Sequence, residues 1–271
     1  MTRRIEGNNK HRKKFTELAE DVVNQADVIL EVLDARFIKE TRNPEIEELI
    51  KKQNKKLIYV LNKSDFIDEK KLKKQIDIIP YVFVSCKLRR GGKELRKRIK
   101  IEVKKLNLDR KTADLDKKAK VGVIGYPNTG KSSIINLLIG KSSAKTAVES
   151  GFTKGIQKIN LTNDITLLDS PGVIPRNENS SINQQDLKKH VEIGVRNYFK
   201  VKEPDMLVQS LMTKYPEVFE NFYGIDARGN SEVLIETLGR KMNFLRKGNE
   251  VDIDRTARVI IKDWQEGKIK V

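Results

Sequence analysis

Two short stretches of this chain carry residue types that can hold a nucleotide. Gly125-Tyr126-Pro127-Asn128-Thr129-Gly130-Lys131-Ser132 has the spacing Gly-x-x-x-x-Gly-Lys-Ser. The glycines let backbone N–H groups approach phosphate oxygens closely, Lys131 can reach the β- and γ-phosphates, and the Ser132 hydroxyl is a ligand for Mg²⁺. A helical pattern from Ser133 to Ile139 follows directly, and a helix N-terminus favours negative charge. The loop from Asn128 through Thr129, Gly130, Lys131, Ser132 and Ser133 is therefore the expected phosphate cradle. Asn62-Lys63-Ser64-Asp65 supplies the base. A carboxylate at Asp65 accepts two hydrogen bonds from guanine N1 and N2, a donor pair that adenine lacks. Lys63 would pack its stem along the base, and Asn62 would tie this loop to the phosphate loop. Ser85-Cys86-Lys87 closes the next apolar run and places the Cys86 N–H toward guanine O6. The Cys86 thiol itself reads as a small buried residue.

Asp169-Ser170-Pro171-Gly172 ends the apolar run Ile165-Thr166-Leu167-Leu168. An Asp in that place fits a residue behind a bound magnesium, and the Gly172 amide is free to bond a γ-phosphate and sense its loss. Thr153, within Ser150-Gly151-Phe152-Thr153-Lys154-Gly155, has a hydroxyl for Mg²⁺ and an amide for the γ-phosphate. A plain loop threonine is the other reading. The expected metal set is Ser132, Thr153 and Asp169, with GTP or GDP as the bound nucleotide.

These motifs stand in an unusual order. In an ordinary small GTPase the phosphate loop comes first and the base reader late, whereas here the base reader precedes by about sixty residues. The order implies a circularly permuted domain, which moves the end of the nucleotide-sensing segment to a domain junction.

The elements that must carry the motifs follow from periodicity. Apolar runs of strand length lie at 27–34, 57–61, 81–84 and 121–124, with helical patterns at 44–53, 68–78 and 92–106 between them. Near-continuous apolar strands alternating with helices indicate an α/β fold, a mostly parallel sheet covered on both faces. Residues 11–25 read as a basic amphipathic helix through Phe15, Leu18, Ala19 and Val22. Residues 107–120 read as the linker rejoining the permuted halves. Strands at 156–161 and 165–168 flank Asn163-Asp164, a tight hairpin turn or a bulge. After Gly172 the strand pattern stops. Residues 177–185 are polar, and helical patterns at 186–200, 204–213, 215–221, 231–246 and 254–266 form a small C-terminal α-helical domain, with Asp254 as a cap for the last. The expected division is a basic N-terminal segment 1–26, a nucleotide domain 27–176, and a connection with helical domain at 177–271.

Composition narrows the setting. The 271 residues are 38% hydrophobic, enough for one sizeable core and a smaller second domain. No run approaches the ~18 apolar residues of a membrane helix, and the charged N-terminus has no apolar stretch behind it, against a secretory signal. One cysteine excludes a disulfide framework and a cysteine zinc site. These features favour a cytoplasmic protein. Net charge is +17, of which +13 falls in residues 1–120. Such a basic half suits RNA as partner; a lysine-rich solvated surface is the alternative. Lys87-Leu88-Arg89-Arg90 and the stretch from Lys93 to Lys105 carry the same two readings.

The series Asn-Lys-x-Asp, Ser-Cys-Lys, phosphate loop, Thr-Lys-Gly and Asp-Ser-Pro-Gly resembles the circularly permuted GTPases of the YlqF/YawG type, the ribosome-assembly GTPases. Asp34-Ala35-Arg36 looks like that family's Asp-Ala-Arg signature, and Glu250 to Ile269 is similar to its C-terminal helical domain. The resemblance implies GTP hydrolysis coupled to maturation of a ribosomal subunit. The large subunit or its precursor and its rRNA are then the partners, with no membrane and no DNA expected. Val173 stands where Ras-like enzymes place a water-orienting glutamine, which implies slow intrinsic turnover that needs help. Asn128 resembles the asparagine of potassium-activated GTPases, which helps hold K⁺ where an arginine finger would sit. An asparagine that only shapes the turn is the alternative. His11 lies where family members carry a proposed catalytic histidine, but Asn9-Lys10-His11 lacks the usual preceding Pro-Gly, which favours an RNA-contacting or solvated histidine. Loss of γ-phosphate would release Gly172 and Thr153 and alter docking of the helical domain. A nucleotide-gated RNA-binding module with little or no hydrolysis is the runner-up. A GTPase acting on a protein or lipid partner ranks third, since no lipidation motif is present.

Overall fold

The computed structural model describes residues 17–109, 118–140, 156–170, 172, 189–190, 192–194 and 198–270. The chain forms two compact units, Met1–Ile182 and Asn183–Val271.

The first unit is built on a six-stranded sheet. Its strands are β1 (Val28–Asp34), β2 (Lys56–Asn62), β3 (Tyr81–Phe83), β4 (Ala119–Ile124), β5 (Gln157–Asn160) and β6 (Ile165–Asp169). The spatial order is β3-β2-β1-β4-β6-β5, parallel throughout except for the edge pair β5–β6. The phosphate-loop strand β4 is fourth in the chain yet sits at the centre of the sheet between β1 and β6. A parallel sheet needs both faces covered, and the period-2 alternation of β1 sorts its side chains accordingly. Val28, Leu30 and Val32 join Val121, Val123, Leu95, Ile99, Ile134 and Leu138 in one core. Ile29 points the other way and meets Ala19, Val22, Val23, Ile46 and Ile50.

The covering helices are α1 (residues 17–25), the short α2 (Ile38–Thr41), α3 (Pro44–Lys52), α4 (Glu69–Lys73), α5 (Gly92–Asp109) and α6 (Lys131–Ile139). Local chemistry sets several ends. Asn43 caps α3 by accepting from the Ile46 N–H at 3.2 Å, with Pro44 in the first turn. Arg96 on α5 donates to the carbonyls of Leu137 and Leu138 near the C-terminus of α6, where a cation suits the helix dipole. No residue of α4 is buried. Without packing to extend it, the helix expected at 68–78 stops at Lys73.

The expected linker at 107–120 is shorter at both ends. Helix α5 runs to Asp109 and β4 starts at Ala119. The backbone there continues a helix and opens a strand where composition alone reads loop. The β5–β6 connection is wider than a two-residue turn: Leu161 and Thr162 both donate to the Ile165 carbonyl, and Thr162 Oγ1 accepts from the Asp164 N–H.

In the second unit the described helices are α7 (Pro204–Lys214), α8 (Val218–Tyr223), α9 (Ser231–Lys241) and α10 (Ile253–Gln265). Trp264 is buried and meets Phe219 and Tyr215 with ring centroids 5.4 and 4.9 Å apart. Asp252 caps α10, accepting from the Arg255 N–H at 3.1 Å. The expected cap Asp254 instead lies in the first turn, where it pairs with Arg258 four residues on. Both positions carry Asp, and the chain enters the helix one residue earlier than the apolar pattern suggests. Helix α9 ends at Lys241, short of 246, because Asn243 takes a left-handed φ of 56° and Leu245 then bridges to Val251. The polar stretch 177–185 lies outside the described residues.

Candidate nucleotide-binding site

The motif residues converge at the C-terminal ends of parallel strands, the place where open α/β sheets leave a crevice for ligands. The phosphate loop leaves β4 at Ile124 and enters α6 at Lys131. Left-handed backbone at Asn128 (φ 61°) and Gly130 (φ 98°) turns it back on itself. Gly130 has no room for a side chain, since a Cβ there would collide with Asn62 Nδ2. Thr129 Oγ1 donates to the Tyr126 carbonyl at 2.9 Å, and Lys131 Nζ donates to the same oxygen at 2.7 Å. The first turn of α6, with Ser132 and Ser133, offers N–H groups that have no intrahelical partner.

The base-reading loop leaves β2 and is fixed from both sides. Asn62 Nδ2 donates to the Thr129 carbonyl at 2.8 Å, joining it to the phosphate loop. Asn62 Oδ1 accepts from the Cys86 N–H at 3.4 Å. The amide expected to face guanine O6 is thus oriented by Asn62 in this structure. Ser85, fully buried, donates its hydroxyl to Asp65 Oδ1 at 2.6 Å and accepts from the Leu88 N–H at 3.1 Å. Lys87 Nζ lies 5.3 Å from the centre of the Phe66 ring. Burial pushes the Cys86 thiol up to about 12, with Asp65 adding to the effect, so it stays protonated at neutral pH.

Asp169 ends β6, where Ser170 Oγ donates to the Val123 carbonyl at 2.8 Å. A Cβ on Gly172 would fall 2.7 Å from Pro127 Cα, so this glycine lies directly against the phosphate loop. Lys131 and Asp169 are both buried. Burial pulls Lys131 down to about 8 against the attraction of Asp169, and pushes Asp169 up to about 6 against Lys131 and the Ser170 N–H. Asp169 Oδ1 is buried with no hydrogen-bond partner. A buried lysine and a buried carboxylate oxygen, each short of opposite charge, fit a polyphosphate carrying a hydrated cation. Among the described residues no cluster of three or more His, Cys, Asp or Glu could hold a metal by itself. A hard cation here would draw on phosphate and water oxygens with Ser132 and Asp169. Thr153, His11 and Val173 lie outside the described residues.

Comparison with known proteins bears directly on this geometry. The family described as 50S ribosome-binding GTPase matches residues 120–235. An uncharacterized GTP-binding protein of Methanocaldococcus jannaschii is 40% identical over 254 residues, covering 92% of this chain and 64% of the relative. Nucleolar GTP-binding protein 2 of Neurospora crassa is 35% identical, covering 92% of this chain and 40% of its own length. The chain therefore spans 64% and 40% of these two relatives. The GNP-bound YlqF of T. maritima superposes with a TM-score of 0.64 at 25% identity, over 94% of both chains. The chain shares the circularly permuted GTPase fold of YlqF.

Two buried acids beside the motifs were not singled out as site residues from the sequence. Asp34, the last residue of β1, is fully buried and pairs with both Arg36 and Lys63 at 2.8 Å. Its only signal in the sequence was the Asp-Ala-Arg signature, which carries no role by itself. Glu31, in the middle of β1, accepts from the Asn43 N–H at 2.9 Å, while its second oxygen has no partner. Burial and the nearby Glu47 carboxylate hold its pKa well above the ordinary range. An acid in an otherwise apolar run was the available clue.

Proposed function

We propose that this GTP-binding protein is a GTP-hydrolysing switch acting in assembly of the large ribosomal subunit, in the cytoplasm, with rRNA as the surface it engages. The observation that carries the reading is the Asn62 bond to the Thr129 carbonyl at 2.8 Å, which ties the proposed base reader to the phosphate loop. Relatives named nucleolar GTP-binding proteins and a family described as 50S ribosome-binding GTPase support the subunit as partner.

Within the site, Asp65 reads the guanine edge and Lys63 lies along the base; the Cys86 N–H, held by Asn62 Oδ1 at 3.4 Å, would turn from it to reach guanine O6. Lys131 and the N–H groups from Asn128 to Ser133 hold the phosphates. Ser132, Thr153 and Asp169 are the proposed magnesium set, and Mg²⁺ when bound supplies positive charge to the β- and γ-oxygens. Gly172 donates its amide toward the γ-phosphate position. Asn128 is the proposed residue for K⁺, whose charge would take the place of an arginine finger. Val173 offers no polar atom to orient water, so turnover is slow until a partner supplies the missing group, with His11 as a candidate from within the chain.

A row on α5 supports the RNA reading. Lys93, Lys97, Lys100 and Lys104 are exposed. They line one shallow groove with Arg96 and Ile101. At spacings of four, three and four residues they form one stripe about 16 Å long. Among the described residues none of these four lysines has an ion-pair partner.

The test is GTP turnover in K⁺ and in Na⁺ buffer, alone and with purified large or small ribosomal subunits. Stimulation by large subunits alone supports the proposal. GTP binding without turnover under every condition supports instead a nucleotide-gated RNA-binding module, the reading that Val173 favours. Equal rates in the two salts remove K⁺ from the mechanism.

A further inference from the structure

The end of β1 is wired to the base-reading loop. Asp34 stands opposite Asn62 in the β1–β2 register, and its side chain is fully buried. Its carboxylate takes a forked pair of bonds from Arg36, Nε to Oδ1 at 3.0 Å and Nη2 to Oδ2 at 2.8 Å, and a third from the Arg36 backbone N–H at 3.1 Å. The Lys63 ammonium shares Oδ2 at 2.8 Å. The Asp34 N–H is itself anchored on Thr41 Oγ1 at 3.2 Å. The Arg36 guanidinium lies 5.0 Å from the centre of the Phe37 ring and 5.1 Å from that of Phe66. Phe66 closes the short 3-10 turn Ser64–Phe66 that carries Asp65. Lys63, at the head of that turn, holds a left-handed φ of 62°, a conformation that a non-glycine residue keeps only when its surroundings fix it.

We propose that Asp34 is the positioning residue of the guanine site: it holds the Lys63 ammonium so that the four-carbon stem lies extended for the base, and through Arg36 and Phe66 it fixes the turn that presents Asp65. The inference rests on the reading of Asn62–Asp65 as the guanine reader. A buried carboxylate shared by two cations suits this task, because releasing either one breaks a charge-assisted hydrogen bond inside a buried site. Burial by itself would raise the Asp34 pKa, but the charges and hydrogen bonds of Lys63 and Arg36 outweigh it and hold the carboxyl well below the usual range. Asp34 is thus ionised wherever the protein is folded at physiological pH. The Arg36 arm reaches Asp65 by packing and the Lys63 arm reaches the base directly, so the two can be separated by mutation.

The experiment is the dissociation rate of a fluorescent methylanthraniloyl-GDP, measured by stopped flow on the full chain. Asp34→Asn should speed release by about 10–100-fold, the worth of a charge-assisted hydrogen bond. Lys63→Met should do the same, and adding Asp34→Asn to Lys63→Met should speed release far less than the product of the two single effects. A merely structural Asp34 would give independent effects in this cycle. Should Asp34→Asn not fold, because it leaves Arg36 charged and buried, the cycle is run in an Arg36→Met background, where no such charge remains. Release at the wild-type rate from folded Asp34→Asn, or fully multiplicative effects with Lys63→Met, overturns the proposal. Wild-type protein that binds no guanine nucleotide overturns the underlying reading of Asn62–Asp65, and is distinguished because it fails before any substitution is made.

Discussion

Ser85 decides how Asp65 is presented. Its hydroxyl has a single proton, given to Asp65 Oδ1 at 2.6 Å, and the pair is held where Ser85 is fully buried. Ser85→Ala should weaken GDP binding about tenfold or more by freeing a carboxylate that must meet two guanine N–H groups in one orientation. Fluorescence titration with methylanthraniloyl-GDP measures this, and unchanged affinity would mean that the Phe66 side alone orients Asp65. Lys131 makes a pH-dependent prediction. Its pKa of about 8 is lowered chiefly by burial. Phosphate oxygens restore the ammonium, so binding above about pH 8 must take up a proton. Affinity should then fall as pH rises, by at most about tenfold per unit. Calorimetry in buffers of different ionisation enthalpy would detect the proton directly.

Element by element, β1 does more than fill the centre of the sheet. Its fourth residue, Glu31, reaches the Asn43 N–H at the start of α3, and Glu47 on that helix binds Arg42 at 2.6 Å and the Tyr59 hydroxyl at 3.1 Å. This polar cluster fixes where α3 docks, at the cost of a buried acid with one empty oxygen. Folding raises the Glu31 pKa, so the folded state holds that proton more tightly than the unfolded chain does. Its favourable contribution is complete below the unfolded value of 4.5 and is lost as pH rises through the folded value. Glu31→Gln keeps an acceptor for Asn43 and removes the charge. It should stabilise the protein at neutral pH by about 1–3 kcal/mol and flatten the rise in stability toward acid. Urea unfolding at several pH values tests it, and a destabilised variant would show that Glu31 is ionised in the fold.

On the scale of the whole molecule, charge is the dominant property. The basic excess lies mostly in residues 1–120, and α5 gathers part of it into the stripe Lys93, Lys97, Lys100, Lys104. Replacing these four lysines by Gln should weaken binding to ribosomal RNA and reduce the slope of log K against log salt by about 3. The residues are exposed, so thermal stability should hold. An unchanged slope would make the stripe a solvated helix face.

The sequence by itself determined the local chemistry. Strand runs, the phosphate loop and the permuted order were legible, and so was the motif proposed to read guanine, because each depends on residue type at short spacing. The strands needed only near-continuous apolar runs, and the loop needed only glycines where backbone must turn left-handed or approach closely. Element ends were less legible. Asp252 and Asp254 are chemically alike as caps, and only the path of the chain into α10 separates them. The stretches 107–109 and 119–120 look like loop until the backbone of α5 and the pairing of β4 include them. What only the tertiary structure decided are contacts between residues distant in the chain. Asn62 meets the Thr129 carbonyl across 67 positions, and Asp65 meets Ser85 across 20. Asp34 meets Lys63 because parallel pairing of β1 and β2 sets Asp34 beside Asn62, so that the adjacent Lys63 can reach it. A buried carboxylate takes its role from the charges that share its cavity, and those charges come together only when the sheet is assembled.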